Sequence, residues 1–195
     1  MAIEFKKQAF SGKTPVIWRG ECKILPGGFK PKQTFPVGTV LRRGLPIQVD
    51  FDEMSAGVVK IAKVLDGGTT TEARVSKGHL FAIGDKKLGT TTSTTVSKID
   101  TSNADYDVLT FAAAITGLAA GDSIQESDGE SSAKPLYTPN MVIGADLEFK
   151  GTGIPTIDAA YEAVVLYNNV NYPIPADWLQ GVTLKSNPNI LFIKQ

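Results

Sequence analysis

Hydrolysis by an activated serine or cysteine needs an imidazole beside the nucleophile, and the chain contains one histidine, His79, in Ser-Lys-Gly-His-Leu-Phe. The single cysteine, Cys22, stands between Glu21 and Lys23, and no spacing pairs it with His79. A lone histidine that follows a glycine at the start of a strand is expected to be a packed loop or core residue. One thiol builds neither an internal disulfide nor a thiolate zinc site, which suits assembly in a reducing cytoplasm. Gly151-Thr152-Gly153 lacks a third glycine and a following helix, and no Gly-x-x-x-x-Gly-Lys-Ser/Thr run occurs, so a nucleotide cradle is not expected.

Carboxylates gather in three places: Asp50, Asp52 and Glu53; Asp100, Asp105 and Asp107; Asp122, Glu126, Asp128 and Glu130. Paired carboxylates can do acid/base work or hold a hard cation. None of the three has the spacing of a calcium loop. The middle group, IDTSNADYDVLTF, reads as a Ser/Asn/Asp turn entering a strand with Tyr106, Val108 and Thr110 on one face. A cation clamped by Asp105 and Asp107 at a subunit interface is the competing reading. The expectation is a protein that is not an enzyme, with no catalytic residues, no metal site and no cofactor.

One stretch could recognise a ligand. LYNNVNYPIPADW sets Tyr167, Tyr172 and Trp178 among Asn168, Asn169 and Asn171, offering rings to stack on sugars and amides to bond their hydroxyls. The same Asn and Pro residues equally serve β-turns.

The elements that carry these residues are short strands. Glycine and proline recur at short intervals, and the runs between them are rich in Val, Ile, Thr, Phe and Tyr. Strands are predicted over 15–19, 39–41, 47–50, 58–65, 72–75, 96–99, 108–111, 141–149, 163–167 and 190–193. Residues 158–167 compete as a helix capped by Asp158, but Val164 and Val165 favour a strand. Ala112–Ala120 and Pro175–Leu179 leave space for about one helical turn each. The fold class is therefore all-β, a short-stranded β-barrel or β-sandwich with an extended N-terminal arm and at most a few helical turns. Three domains follow: a docking arm over 1–36, a central β-barrel domain over 37–125, and a linker with a C-terminal β segment over 126–195, the polar run 125–139 marking the soft boundary.

A phrase returns three times, as VGTVLRRG at 37–44, LFAIGDKKL at 80–88 and LAAGDSI at 118–124. In the last two, a Gly-Asp pair closes a tight turn, the glycine supplying φ > 0 and the aspartate bonding nearby backbone. These are expected barrel corners; a catalytic pairing of Asp85 with Asp122 would require them to converge. Leu65–Thr71 carries an Asp-Gly-Gly hairpin signal, and the threonine tracts 69–71 and 90–95 suit exposed strand edges.

Net charge is zero, yet residues 1–46 hold nine basic side chains against Glu4 and Glu21, leaving eleven against eighteen elsewhere. The basic residues are spread singly and lack interleaved aromatics, which argues against nucleic acid as a partner. No apolar run is long enough to span a bilayer, and the start MAIEFKKQAFSGKTP has no export-signal pattern, so no membrane association is expected. A basic, proline-rich arm fits an acidic protein surface, although the same charges would also keep an irregular segment in solution.

VSKGHLFAIGDKKL, VSKIDTSNADYDVLTF, LAAGDSI and KPLYTPNMVIG together resemble the head fibre or capsid decoration (auxiliary capsid) proteins of tailed bacteriophages, particularly those of gut Bacteroidetes phages and prophages. The likeness covers roughly 37–144, with a looser continuation to the C-terminus. It implies a structural virion protein on the capsid exterior, assembled in the host bacterial cytoplasm and bound to the major capsid protein and to its own copies, with a trimer favoured. On that reading Trp18 and Phe29 are apolar anchors of the arm, and Lys6, Lys7, Arg19 and Lys30 face acidic capsid surface. The alternative is a glycan-binding or host-adhesion module on the virion, using Tyr167, Tyr172 and Trp178.

Overall fold

A computed structural model describes residues 15–88, 93–115, 117–129, 134–170 and 172–194. The N-terminal half contributes β1 (Lys23–Pro31), β2 (Val40–Leu41), β3 (Pro46–Asp50), β4 (Ser55–Val58), β5 (Ile61–Lys63), β6 (Glu72–Ser76), β7 (Lys86–Leu88) and β8 (Ser93–Asp100). The C-terminal half adds β9 (Tyr106–Phe111), β10 (Ser123–Glu126), β11 (Met141–Ile143), β12 (Leu147–Glu148), β13 (Ile157–Leu166), β14 (Leu179–Gln180), β15 (Thr183–Leu184) and β16 (Asn187–Ile193). Two single 3-10 turns, Tyr167–Asn169 and Ala176–Trp178, are the helical content among the described residues. With 46% of the described residues in strands and 4% helical, the all-β expectation holds.

Five strands close into a small barrel in the order β1-β4-β3-β11-β13, with β13 returning to β1. All neighbours are antiparallel except β1 and β4. Narrow closure is eased by small side chains, which β13 supplies as the buried Ala159, Ala160 and Ala163. It also needs Gly57, because a Cβ there would stand 2.4 Å from the Tyr137 ring that covers it. The C-terminal half of β13 pairs in parallel with β16, from which β15 and β14 extend the sheet. On its other side Arg19 donates to Val164 O at 2.9 Å and Leu166 donates to Ile17 O at 2.7 Å, so residues 17–19 are stitched along the same strand.

The second unit is a six-stranded sheet, β5-β10-β7-β8-β9-β6, and a Val64–Val75 bridge ties its last strand back to the first. Strands β6 and β9 alternate along their length, whereas β8 alternates over its first four residues, up to the irregularity between Val96 and Lys98. In β9 the half-buried residues are Tyr106, Val108 and Thr110, the face expected from the sequence, so Asp107, Leu109 and Phe111 point inward.

This grouping departs from the domain division expected from sequence. Residues 23–31 form a barrel strand rather than part of an arm, and the barrel joins strands from both ends of the chain. The unit inserted between them is continuous from β5 to β10. Strand partners so distant in sequence leave no local trace, which is why composition placed the boundaries elsewhere.

The thrice-repeated phrase is one turn used three times. Leu45, Asp85 and Asp122 donate their amides to the carbonyls of Arg42, Ala82 and Ala119 at 3.2, 3.1 and 3.1 Å. The preceding glycines, Gly44, Gly84 and Gly121, sit at φ +84, +95 and +97°. In the second and third copies the aspartate also accepts the amide three residues back, at 2.6 and 2.8 Å, locking the corner from both sides.

Candidate functional site

Of the arm residues, Lys6 and Lys7 lie outside the described residues. Trp18 is half-buried, bridged to Val165, and Arg19 and Lys30 are exposed. Phe29 is 2% exposed within the barrel core, so its apolar surface is already occupied by its own chain. The exposed apolar residues nearby are instead Phe51 and Met54, on the turn joining β3 to β4, at 55 and 49% exposure.

That turn is built rigidly. Asp50 Oδ1 accepts the amides of Asp52 and Glu53, both at 3.1 Å, and Lys32 Nζ reaches Asp50 and Glu53 at 3.1 and 3.0 Å. The amide bond from Glu53, followed by Lys32, holds the Asp50 carboxyl below its ordinary range. Phe51 rests edge-on against Phe29, ring centroids 5.6 Å apart, and Met54 adopts φ +49°, a conformation non-glycine residues rarely take. The Lys30 amide donates to Met54 O at 3.0 Å, which sets an exposed cation beside the apolar tip.

Tyr167 and Tyr172 line a cleft of about 590 Å³ between the two units, with Lys63, Ser76, Asp122 and Ser123 on the facing wall. Trp178 is not among the residues lining it and packs in the larger apolar core at 9% exposure. Tyr172 is 6% exposed; burial pushes its hydroxyl up to about 12, so of these rings Tyr167 is the more exposed. Asn171 lies outside the described residues.

The carboxylate groups separate in space. Asp107 is buried and engaged by Lys77 Nζ at 2.6 Å and by His79 Nε2 at 3.3 Å, the latter without hydrogen-bond geometry, whereas Asp105 is exposed. Among the described residues no three metal-ligating side chains gather. His79 Nδ1 accepts the Phe81 amide at 3.2 Å, which assigns the ring proton to Nε2 facing Asp107. Burial lowers the imidazole pKa, and Asp107 opposes that in part. Both ring nitrogens are turned to the protein itself, an arrangement suited to holding the 77–81 turn against β9.

Sequence reading missed two lysines. Lys60, the polar interruption in Val-Val-Lys-Ile-Ala, lies 2.7 Å from Asp85 Oδ2 and 3.2 Å from Glu126 Oε1 where the chain passes from barrel to inserted unit. Asp85 and Asp122, weighed as a pair, are thus engaged separately. Lys87 is fully buried inside the second unit, its Nζ 4.6 Å from the centre of the Phe111 ring and without a hydrogen-bond partner. Burial alone pulls its pKa down from 10.5 to about 8. The signal for Lys60 was present, a charge inside a buried apolar run; nothing marked which of Lys86 and Lys87 turns inward.

No helix among the described residues is long and apolar enough to cross a membrane. No family model, curated protein or solved structure matches the chain.

Proposed function

We propose that this chain is a structural virion protein that sits on the outside of a bacteriophage capsid, binding major capsid subunits and its own copies to stabilise the head or anchor fibres. The carrying observation is the β3–β4 tip: two exposed apolar side chains, Phe51 and Met54, on a turn fixed by Asp50 and Lys32 and flanked by exposed Lys30. A preordered apolar knob loses little conformational entropy when covered, and the exposed Lys30 on one side with Asp52 and Glu53 on the turn itself give its rim charges of both signs for a partner to complement. Arg19 extends the basic character, and a trimer is the favoured assembly. The apolar anchoring first assigned to Phe29 passes to Phe51, which Phe29 supports from inside.

The test is co-sedimentation of the purified chain with capsids that lack it. Binding should saturate at a fixed copy number, and Phe51→Ser with Met54→Ser should weaken it at least tenfold, with deletion of residues 2–20 lowering it further. Failure of the unaltered chain to sediment with capsids would end this reading.

The cleft favours a second reading, a glycan-binding or host-adhesion module. Tyr167, Ser76, Asp122 and Ser123 line one space, a mixture of aromatic and polar residues that suits recognition of a hydroxyl-rich ligand. A glycan array probed with the chain and with Tyr167→Ala separates the two: signal lost in the variant supports the cleft, and no signal excludes it.

A further inference from the structure

The junction cluster has a composition that ion pairing does not explain. Lys60, Asp85 and Glu126 have side chains 8, 14 and 11% exposed, so one ammonium is enclosed with two carboxyls. A buried ion pair is seldom more stabilising than apolar residues of the same volume, and an unbalanced one less so. Glu126 Oε2 is buried without a hydrogen-bond partner, and desolvation holds the Glu126 carboxyl above its ordinary range despite Lys60. In such a site the neutral form of Glu126 becomes accessible, because burial penalises its charged form.

Position adds to this. Asp85 is immobilised in its turn, with Oδ2 accepting the Ala82 amide at 2.6 Å and Gly84 at φ +95° behind it. Lys60 is held by the main chain, its carbonyl accepting the Glu126 amide at 3.0 Å. Lys60 Nζ lies 2.7 Å from Asp85 Oδ2, an oxygen bonded to the Cγ it would attack, and groups held close to attack geometry reach effective concentrations on the order of 10⁵ M or more.

We propose that Lys60 and Asp85 condense without any other enzyme into an isopeptide bond, Nζ to Cγ, with Glu126 as the proton carrier. The Glu126 carboxylate takes a proton from the Lys60 ammonium and passes it to the Asp85 carboxylate. The freed Nζ lone pair attacks Cγ and forms the C–N bond. Glu126 then moves a second proton from nitrogen to the departing hydroxyl, the C–O bond breaks, and water leaves. One ammonium and one carboxylate become one amide and one water, and Glu126 ends as it began; no oxidant, metal or cofactor enters the balance. The bond closes the chain between its entry to the inserted unit and the second of its three corners, so it would tether that unit whichever partner the protein binds.

Intact mass spectrometry of the denatured full-length chain decides the matter. The unaltered protein is expected about 18 Da, one water, below its sequence mass, with a digest joining the Lys60 and Asp85 peptides. Lys60→Arg, Asp85→Ala and Glu126→Gln should each restore the sequence mass. A wild-type chain at full sequence mass overturns the proposal, and this measurement does not depend on any variant folding. A water loss that persists in Lys60→Arg also overturns it, since Asp66-Gly67 or Asp128-Gly129 could lose the same mass as a succinimide. Persistence in Glu126→Gln alone removes Glu126 from the mechanism and overturns the proposal as stated.

Discussion

The five-stranded barrel and the inserted six-stranded unit are made of equally short strands, but they enclose different chemistry. The barrel's core runs from Phe29 and Leu41 through Ile47, Val142 and Ile143 to Ile157 and Ile190, an almost wholly apolar interior. The inserted unit surrounds a smaller apolar cluster with Lys87, Asp107, Thr94 and the His79 ring. Burial of hydrocarbon stabilises at about 25 cal/mol per Å², whereas each enclosed polar group without a partner costs on the order of 1–3 kcal/mol and an enclosed charge costs more. The barrel's stability therefore rests chiefly on hydrocarbon burial, and that of the inserted unit rests also on its electrostatics.

Truncating each core tests that asymmetry at its largest. Ile143→Ala and Leu109→Ala both open a fully buried site and should each lose about 2–5 kcal/mol. The outcomes should differ in extent. Hydrogen exchange in Ile143→Ala should accelerate throughout the chain, while in Leu109→Ala it should accelerate over the inserted unit and leave β3, β11 and β13 protected. Uniform exchange in both variants would show that the two units unfold together.

Lys87 provides the next largest effect, with the opposite sign. A folded-state pKa of about 8 against 10.5 corresponds, at about 1.4 kcal/mol per unit, to roughly 3 kcal/mol of destabilisation below pH 8. Lys87→Met fills the same space without the charge and should raise stability by ~1–3 kcal/mol in denaturant titration at pH 7. Because the folded chain binds fewer protons than the unfolded chain between about pH 8 and 10.5, wild-type stability should rise across that window, and the variant should not share the rise. No gain in the variant would mean that Lys87 finds compensation not visible in its contacts.

The corners share one glycine backbone conformation in the two units, and that part of the cost should not discriminate. Gly44→Ala, at the barrel corner, and Gly121→Ala, at the inserted unit's, each force a side chain into φ near +90° and should lose about 1–2 kcal/mol by thermal melting. Gly121 has open space around a Cβ, so its loss isolates the backbone term, whereas Gly44 would also press on Val170 and Ile17.

What the sequence disclosed follows from the range over which each feature is encoded. The Gly-Asp corners were legible because a turn is specified by adjacent residues, and β9 and β13 because alternation and β-branching are local. Strand β1 escaped notice: KILPGGFKP carries Pro-Gly-Gly at its centre, and its pairing with β13 jumps from Leu25–Ala159 to Phe29–Ile157 across a bulge. Its place in the sheet is set by a partner more than a hundred residues away. The tip residues Phe51 and Met54 were unmarked because exposure depends on where a turn lands, and Lys60, Asp85 and Glu126 became a cluster through two separate turns of the same kind. The aromatic stretch 167–178 was recognised, but Trp178 was drawn into the larger apolar core while Tyr167 stayed at the cleft.

The smallest effect is carried by His79, and it separates the units by pH. Burial holds its folded pKa below the 6.5 of the free side chain, so over the interval beneath 6.5 the unfolded chain binds more protons than the folded one. Stability therefore rises with pH through that interval and is lost as acid protonates the unfolded state first. Protonation of the folded ring would also end Nδ1 acceptance of the Phe81 amide and add a cation near Lys77, with Asp107 offsetting part of the cost. Histidine exchange and amide protection followed from pH 7.5 to 5 should show the 77–81 turn and β9 opening before any strand of the barrel, and His79→Gln should flatten that response. If the barrel strands lost protection at the same pH, the acid-sensitive step would lie in both units, and the division drawn from their interiors would not extend to their response to protons.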